Sequence, residues 1–469
     1  MMDRKSTRTT EVGGPADGLT AGRFLLRLLD AVDEAGVPYC VLRNHEKLPE
    51  HVGHDVDILV AENARRRFGA VLNRILAENQ WQRIRFVARF GQEKHFVVDK
   101  RGGSEVLHLD IFYRLHWKGI PLVPGRRILG RAVRRRGLRV ASPADAAAVS
   151  LLKELLQSGR LRQKTRRYVH AYATEDPAGF GSALGSCLPD DLVTRLADGV
   201  RNSAWGAVES QCGAARSAVA RGALRRSLVD QCCRWAEFLW LHVRERAWAG
   251  TGLAIVMVGP DGSGKTTVAR ALEELLPRRE LFHAARYYHA RFGILPELKT
   301  FKRILGRPAR RAEEGMPPPS PNARGAMGAL RALTYMVYYS LDFLLGRFVL
   351  YRRKMRSELV LFDRYFYDYA IQETFRRVPM WLVLLLSGLA PSPDLVIYLD
   401  CPAQSIRRRK QELSVREILW QQDRCRKLLR RARHAFRVRS DMPFEEEIAA
   451  IRMKVFDRMG RLHTRGATA

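Results

Sequence analysis

Apolar positions follow three rhythms along this chain, and each predicts a different kind of structure. From Leu19 they return at helical spacing, and shorter alternating runs follow: Tyr39–Leu42, GHDVDILVA, Arg83–Phe90, His95–Val98 and Val106–Phe112. Alternation of this kind predicts strands, so residues 19–142 read as a small mixed α/β unit. From Pro143 to about Arg246 the pattern turns helical, as in ADAAAVSLLKELL and RSLVDQCCRWAEFLWLHV, with no fixed-period repeat. Residues 143–250 therefore read as a helical region. Beyond 251, short continuous apolar runs alternate with long helices. LAIVMVG, LVLFD and LVIYLD predict buried parallel strands. A last short strand near Phe436–Arg439 and a closing helix from Phe444 complete a third unit, 251–469. Residues 1–18 are polar and predict a disordered N-terminus, not a signal peptide. The Pro-rich stretch 307–325 predicts a loop over a site or a disordered insertion.

Charge changes this picture more than composition does. The chain has 469 residues, with 81 Lys+Arg against 49 Asp+Glu, a net charge of +32. Such a field favours anionic partners: nucleotides, phosphorylated glycans, nucleic acid or an acidic membrane surface. Two runs concentrate it, at 126–139 and 424–439. Neither carries the interleaved aromatics of a nucleic-acid-binding motif, so nucleic acid has no support. Seven scattered cysteines without a C-x-x-C pair predict reduced thiols and a cytoplasmic protein. The apolar run Trp381–Leu386 is too short to span a bilayer. Asp342 and Arg347 interrupt the apolar segment Tyr335–Tyr351, which predicts a buried amphipathic helix and no transmembrane segment.

The sharpest chemical signal is LAIVMVGPDGSGKTT, residues 253–267. It joins a strand to a helix through Gly259, Gly262, Ser263, Gly264, Lys265, Thr266 and Thr267, a G-x-x-x-x-G-K-T match. Glycines let successive backbone N–H groups converge on phosphate oxygens, and the helix N-terminus adds partial positive charge. Lys265 is suited to the β- and γ-phosphates, and the Thr266 hydroxyl to Mg²⁺. LVLFD ends in Asp363, a second magnesium candidate. Arg364 follows it, with no Glu to polarise a water, which argues against simple ATP hydrolysis. An arginine-rich segment after LVIYLD suggests a closing lid.

GPDGSGKTT, DRYFYD (Asp363–Asp368) and PDLVIYLDCP followed by SIRRRK resemble the thymidylate kinase group of nucleoside monophosphate kinases, over roughly residues 253–460. The resemblance implies a P-loop parallel sheet with flanking helices, with ATP and Mg²⁺ as cofactors. It also implies that Asp261 faces the acceptor's sugar hydroxyl, that Asp363 and Arg364 sit near acceptor phosphate and metal, and that the lid begins at Arg407, Arg408 and Arg409. Position 262 is Gly where some members place a catalytic Arg, so a lid arginine, with Arg408 as candidate, takes that role. The segment FHAARYYHARFGILPELK departs from the family's acceptor-binding pattern. Arg291 and Phe292 are its candidates for gripping phosphate and stacking a base, with Tyr287, Tyr288 and His289 as alternatives.

VPYCVLRNHEKLPEHVGHDVDILV and LHLDIFYRLHW resemble the nucleotidyltransferase fold of the polymerase-β superfamily, over residues 20–142. Asp55 and Asp57, two apart on a strand, share one face. With Asp110 they form a triad suited to metal over a triphosphate. Arg43-Asn44 stands where that superfamily typically has Gly-Ser, which leaves an active enzyme or a silent binding module open. The combined expectation is an α/β fusion protein: a nucleotidyltransferase-like domain, a helical region and a thymidylate-kinase-like phosphotransferase. Its acceptor is a nucleotide or a phosphorylated sugar or glycan. The alternative is an ATP-binding regulatory module.

Overall fold

The computed structural model describes residues 19–463 apart from 54, 102–104, 249, 277–280, 297–325, 373–374, 377, 410–412 and 431. The expected disordered N-terminus and the Pro-rich stretch 307–325 therefore lie outside the described residues. Two compact units form, one from the chain up to Arg83 and from Gly91 to Trp235, the other from Ile84–Phe90 and from Ala236 onward.

The chain opens with α1 (Ala21–Glu34), β1 (Tyr39–Val41), β2 (Val56–Val60), α2 (Arg65–Glu78), β3 (Trp81–Arg89), β4 (Gln92–Asp99) and β5 (Val106–Phe112). A short hairpin of β6 (His116–Trp117) and β7 (Ile120–Pro121) follows, then α3 (Gly125–Gly130), β8 (Val133–Arg135) and β9 (Leu138–Val140). The seven-stranded sheet has the order β3-β4-β5-β2-β1-β9-β8. Strand alternation sends neighbouring side chains to opposite faces. Tyr39, Val41, Ile58 and Val60 pack under α1 and α2 with Phe24, Leu28, Phe68 and Leu72. Cys40, Leu42 and Leu59 face the other way, into a core with Leu151, Leu155, Val169, Phe180 and Leu196.

That second core comes from helices α4 (Pro143–Ser158), α5 (Gln163–Glu175), α6 (Pro177–Gly185), α7 (Asp190–Arg201), α8 (Trp205–Ser210) and α9 (Cys212–Arg226). Of the helical region expected over 143–250, the part up to Trp235 thus shares the sheet's unit and covers its second face, while Ala236 onward belongs to the second unit. Its lead helix starts where the sequence signals a start: Ser142 caps it by accepting from the Asp145 N–H at 3.3 Å, and Pro143 opens it. The arginine run 126–139 is largely consumed inside this unit. Arg127 and Arg131 reach Asp145, Arg134 and Arg139 reach Asp33, and Arg135 reaches Glu175.

After α10 (Leu228–Trp248), the second unit alternates β10 (Leu253–Val258), α11 (Lys265–Leu275), β11 (Ala285–His289), α12 (Ala326–Met355), β12 (Leu359–Asp363), α13 (Met380–Ser387) and β13 (Leu395–Asp400). Helices α14 (Ala403–Arg409) and α15 (Val415–Leu429), strand β14 (Ala435–Arg439) and α16 (Phe444–His463) close it. All five strands are parallel, in the order β11-β12-β10-β13-β14. Strand β10 is buried along its whole length, as its unbroken apolar run requires at the centre of such a sheet. The chain leaves β10 for β11 and β12 on one side and returns to β13 and β14 on the other. That reversal opens a crevice at the carboxyl ends of β10, β12 and β13, where ligands bind open α/β sheets.

Strand β11 lies in a segment the apolar pattern does not mark. It is an edge strand in which no residue is fully buried. Helix α12 contains the expected helix Tyr335–Tyr351. Its two charged interruptions serve the fold. Asp342 is fully buried and accepts from the N–H groups of Phe292, Gly293 and Leu295 at 3.1, 3.1 and 2.8 Å. Arg347 donates to the carbonyls of Gly388 and Leu389, which follow α13.

Candidate functional site

The loop between β10 and α11 turns on two glycines in the left-handed region, Gly262 at φ 87° and Gly264 at φ 98°. Gly259 is required for space: a Cβ there would lie 2.6 Å from Ser263 Oγ and 3.1 Å from the Leu399 carbonyl. The loop wraps the Lys265 side chain, which is 5% exposed. Its ammonium donates to the carbonyls of Gly259 and Pro260 at 2.6 and 3.0 Å and approaches Asp261 Oδ1 at 3.3 Å. The cation is thus held on three oxygens that a phosphate can replace.

Pairing of β10 with β12 sets Met257 opposite Asp363, so Asp363 ends its strand beside the start of α11. The Thr266 hydroxyl donates to Asp363 Oδ2 at 2.5 Å, and the Tyr287 hydroxyl donates to the same oxygen at 2.7 Å. Asp363 Oδ1 is buried without a hydrogen-bond partner. Thr266 and Asp363 therefore present oxygen donors, one of them unsatisfied, and fit a hard cation such as Mg²⁺. Burial, then the bond to Asp363, pushes the Tyr287 hydroxyl above the usual phenol range.

Arg364 takes a left-handed backbone, φ 72°, and donates to Asp261 Oδ1 at 2.9 Å. A cavity of about 620 Å³ gathers Asp261, Lys265, Thr266, Asp363, Arg364 and Arg409. Of the three arginines 407–409, expected to begin a lid, Arg409 lines this cavity, whereas Arg408 is exposed on α14 and does not. Lys410 lies outside the described residues. On the side away from the sheet's β11 edge, Ser440 closes the cavity; its hydroxyl donates to Glu447 Oε1 at 2.7 Å. Ser440 and Glu447 are not among the site residues expected from the sequence. A signal existed in the Ser440 step between the last strand and the closing helix.

Asp368, the last residue of DRYFYD, accepts from the Tyr365 N–H at 2.7 Å. Burial raises its carboxyl to about 6, against the opposing pull of Lys265. Among the acceptor-binding candidates, His289 lines the cavity. Phe292 does not. It packs among Tyr288, Phe343 and Phe362, with ring centroids 5.4, 5.9 and 5.1 Å away. Arg291 sits over the Tyr339 ring at 5.3 Å and donates to the Leu295 carbonyl at 3.0 Å.

In the first unit, parallel pairing of β2 and β5 places Asp57 directly opposite Asp110. With Asp55 they bring their carboxylate oxygens within 4.8 Å of one another. Arg43 makes a short ion pair with Asp57, and Lys94 and His108 reach Asp110 at 2.9 and 2.8 Å. Burial opposes charge on Asp110, but bonds from His108 and Lys94 win and hold its carboxyl at about 2. Asp57 Oδ1 is buried without a partner. Arg43 thus faces the triad from the place where a Gly-Ser pair was expected.

No protein-family model matches the chain. Among curated proteins it is similar to the probable thymidylate kinase of Staphylothermus marinus, 28% identical over 165 residues, which are 34% of this chain and 69% of that protein. It is also similar to the probable thymidylate kinase of Pyrococcus horikoshii, 27% identical over 187 residues, 39% of this chain and 81% of that protein. A solved structure, the thymidylate kinase of Ehrlichia chaffeensis, aligns at TM-score 0.28 and 17% identity, over 44% of this chain and 97% of that one. The two curated relatives support a thymidylate-kinase-like region over somewhat more than a third of the chain.

Proposed function

We propose that the second unit is an ATP-dependent phosphotransferase of the nucleoside monophosphate kinase type. One observation carries this: Lys265, Thr266, Asp363, Asp261 and Arg364, from two stretches about a hundred residues apart in sequence, line one cavity at the carboxyl edge of a parallel sheet. In this reading the loop amides and Lys265 hold the β- and γ-phosphates of ATP. Thr266 and Asp363 hold Mg²⁺, which supplies charge neutralisation between those phosphates when bound. Asp261 and Arg364, already paired, orient the acceptor, and Arg409 neutralises the transferring group. The acceptor is a nucleoside monophosphate. The relatives' names support this over a phosphorylated sugar or glycan, and nothing in the cavity favours a glycan. With Phe292 in the core, a stacking partner for the base falls to His289, which lines the cavity.

The test is ADP release from MgATP with dTMP, dUMP, other nucleoside monophosphates and a panel of sugar phosphates, with Lys265→Ala as blank. Lysine-dependent turnover on a nucleotide is expected. Turnover confined to a sugar phosphate would overturn the acceptor, and ATP binding without turnover on any acceptor would favour the regulatory reading.

A second reading rests on the carboxylate triad. Three clustered carboxylates with an unpartnered buried oxygen suit a divalent cation, and we propose that the first unit binds one together with a nucleoside triphosphate. Manganese binding followed by electron paramagnetic resonance tests it, in a Thr266→Ala, Asp363→Asn background that removes the other cation site. Adding Asp57→Asn and Asp110→Asn is expected to abolish the remaining bound manganese. Equal binding with and without those changes would end this reading.

A further inference from the structure

Helix α12 is apolar on two faces. The inner seam of Ala332, Met336, Tyr339, Phe343 and Leu350 is buried in the core. The outer seam of Val337, Leu341, Leu344, Phe348 and Tyr351 advances by 4, 3, 4 and 3 residues and is exposed, reaching 77% at Phe348 and 63% at Tyr351. A solvated helix face is normally polar. Here Asp342 is buried on the 292–295 backbone, and Arg347, although exposed, is bonded to the carbonyls after α13, so no acid balances this face. The Arg347 bonds also bring α13 alongside, and α13 adds Trp381 and Leu385, each 65% exposed. Together these side chains expose on the order of 900 Å², beyond the few hundred that a solitary soluble surface carries.

Along the two helices themselves the exposed charge has one sign. Between 332 and 356 the sole acid is the buried Asp342, and 375–390 contains none. Arg352 is exposed one turn beyond Phe348 on α12, Arg356 follows one turn later and is exposed, and Arg376 precedes α13. An isologous pairing of two copies would press together two arginine-framed faces that offer no counter-charge. Lipid phosphates supply that counter-charge, and Trp, Tyr and Phe suit the headgroup boundary.

We propose that this face docks on an anionic membrane surface, with Phe348, Tyr351, Trp381 and Leu385 at the headgroup–acyl boundary and Arg352 and Arg356 on lipid phosphates. Attachment is peripheral, because among the described residues no helix is long and apolar enough to cross a membrane. The docking does not depend on which acceptor the cavity takes.

Co-sedimentation of the full chain with phosphatidylcholine vesicles, with and without about 30% phosphatidylglycerol, tests it. A variant carrying Phe348→Ser, Tyr351→Ser, Trp381→Ser and Leu385→Ser keeps every charge. Tenfold or greater preference for the anionic vesicles is expected, with tenfold or greater loss in this variant while its circular dichroism is retained. A second variant, Arg352→Gln with Arg356→Gln, is expected to weaken binding severalfold. Undiminished binding by the serine variant would leave only general electrostatic attraction and overturn the proposal. So would equal binding to both vesicle types, or a solution dimer that the serine substitutions convert to monomer, which would assign the face to a second copy.

Discussion

Thr266 and Asp363 stand 97 positions apart in sequence and meet through a 2.5 Å hydrogen bond, because β10 and β12 are parallel neighbours. The bond satisfies one carboxylate oxygen and leaves the other buried and unpartnered. Asp363→Asn would keep the shape and the Thr266 contact but remove the carboxylate charge that faces a cation. A fall of roughly 10²-fold in kcat is expected, with ATP affinity reduced far less, since charge stabilisation of this kind acts mainly in the transition state. ADP release across a magnesium titration measures it. Equal activity in the variant would remove Asp363 from the site.

Tyr287 donates to the same Asp363 oxygen at 2.7 Å. It touches the carboxylate and not the transferring group, so it is a positioning residue. Outer partners of metal-binding carboxylates typically govern metal affinity by 10–100-fold. Tyr287→Phe is therefore expected to raise the half-saturating Mg²⁺ concentration roughly tenfold, with kcat at saturating Mg²⁺ close to the parent's. A changed kcat with unchanged magnesium dependence would contradict this role.

Asp368 carries a pH signature. Burial raises its carboxyl from 3.8 to about 6, so the native state resists its ionisation. Its contribution to stability is fully present below pH 4 and lost as pH rises through 6. Asp368→Asn removes the titration and keeps an oxygen for the Tyr365 N–H. Between pH 4 and pH 7 the variant should gain about 1–3 kcal/mol relative to the parent. Denaturant midpoints of both proteins at those two pH values measure it; a constant difference would show that Asp368 does not titrate in this range.

What was legible in the sequence was what neighbouring residues decide together. The apolar run of β10, the glycines and lysine after it, and Asp363-Arg364 at the end of LVLFD are each local, and each lies where its own pattern implies. What was hidden depends on register and on contacts between distant stretches. The Tyr287–Asp363 bond exists because β11 pairs with β12 so that His289 stands opposite Asp363, and nothing in ARYYH announces an edge strand. Phe292 looked available to a ligand, yet Gly346 makes room for its ring: a Cβ there would lie 2.1 Å from Phe292 Cδ2. The arginine run 126–139 read as a patch for partners, whereas Asp33, Asp145 and Glu175 of the same unit pair with most of it. Carboxylates that answer an arginine from elsewhere in the chain cannot be counted from the run itself.

Asp342 offers the clearest case of a charge that serves backbone rather than ligand. Its carboxylate holds three backbone amides, those of Phe292, Gly293 and Leu295, against the middle of α12. These amides belong to the segment that follows His289 out of the cavity, so the bond fixes the cavity's edge to the core. Asp342→Ala leaves three donors without an acceptor, a cost of about 2–4 kcal/mol. Asp342→Asn still offers an oxygen but loses the charge-assisted character and should cost less. Hydrogen exchange separates a local effect from a global one. Exchange at 292–295 is expected to accelerate at least tenfold in the alanine variant while the β10 amides stay protected. Uniform acceleration through β10 would show instead that Asp342 holds the whole unit together and not one edge of its site.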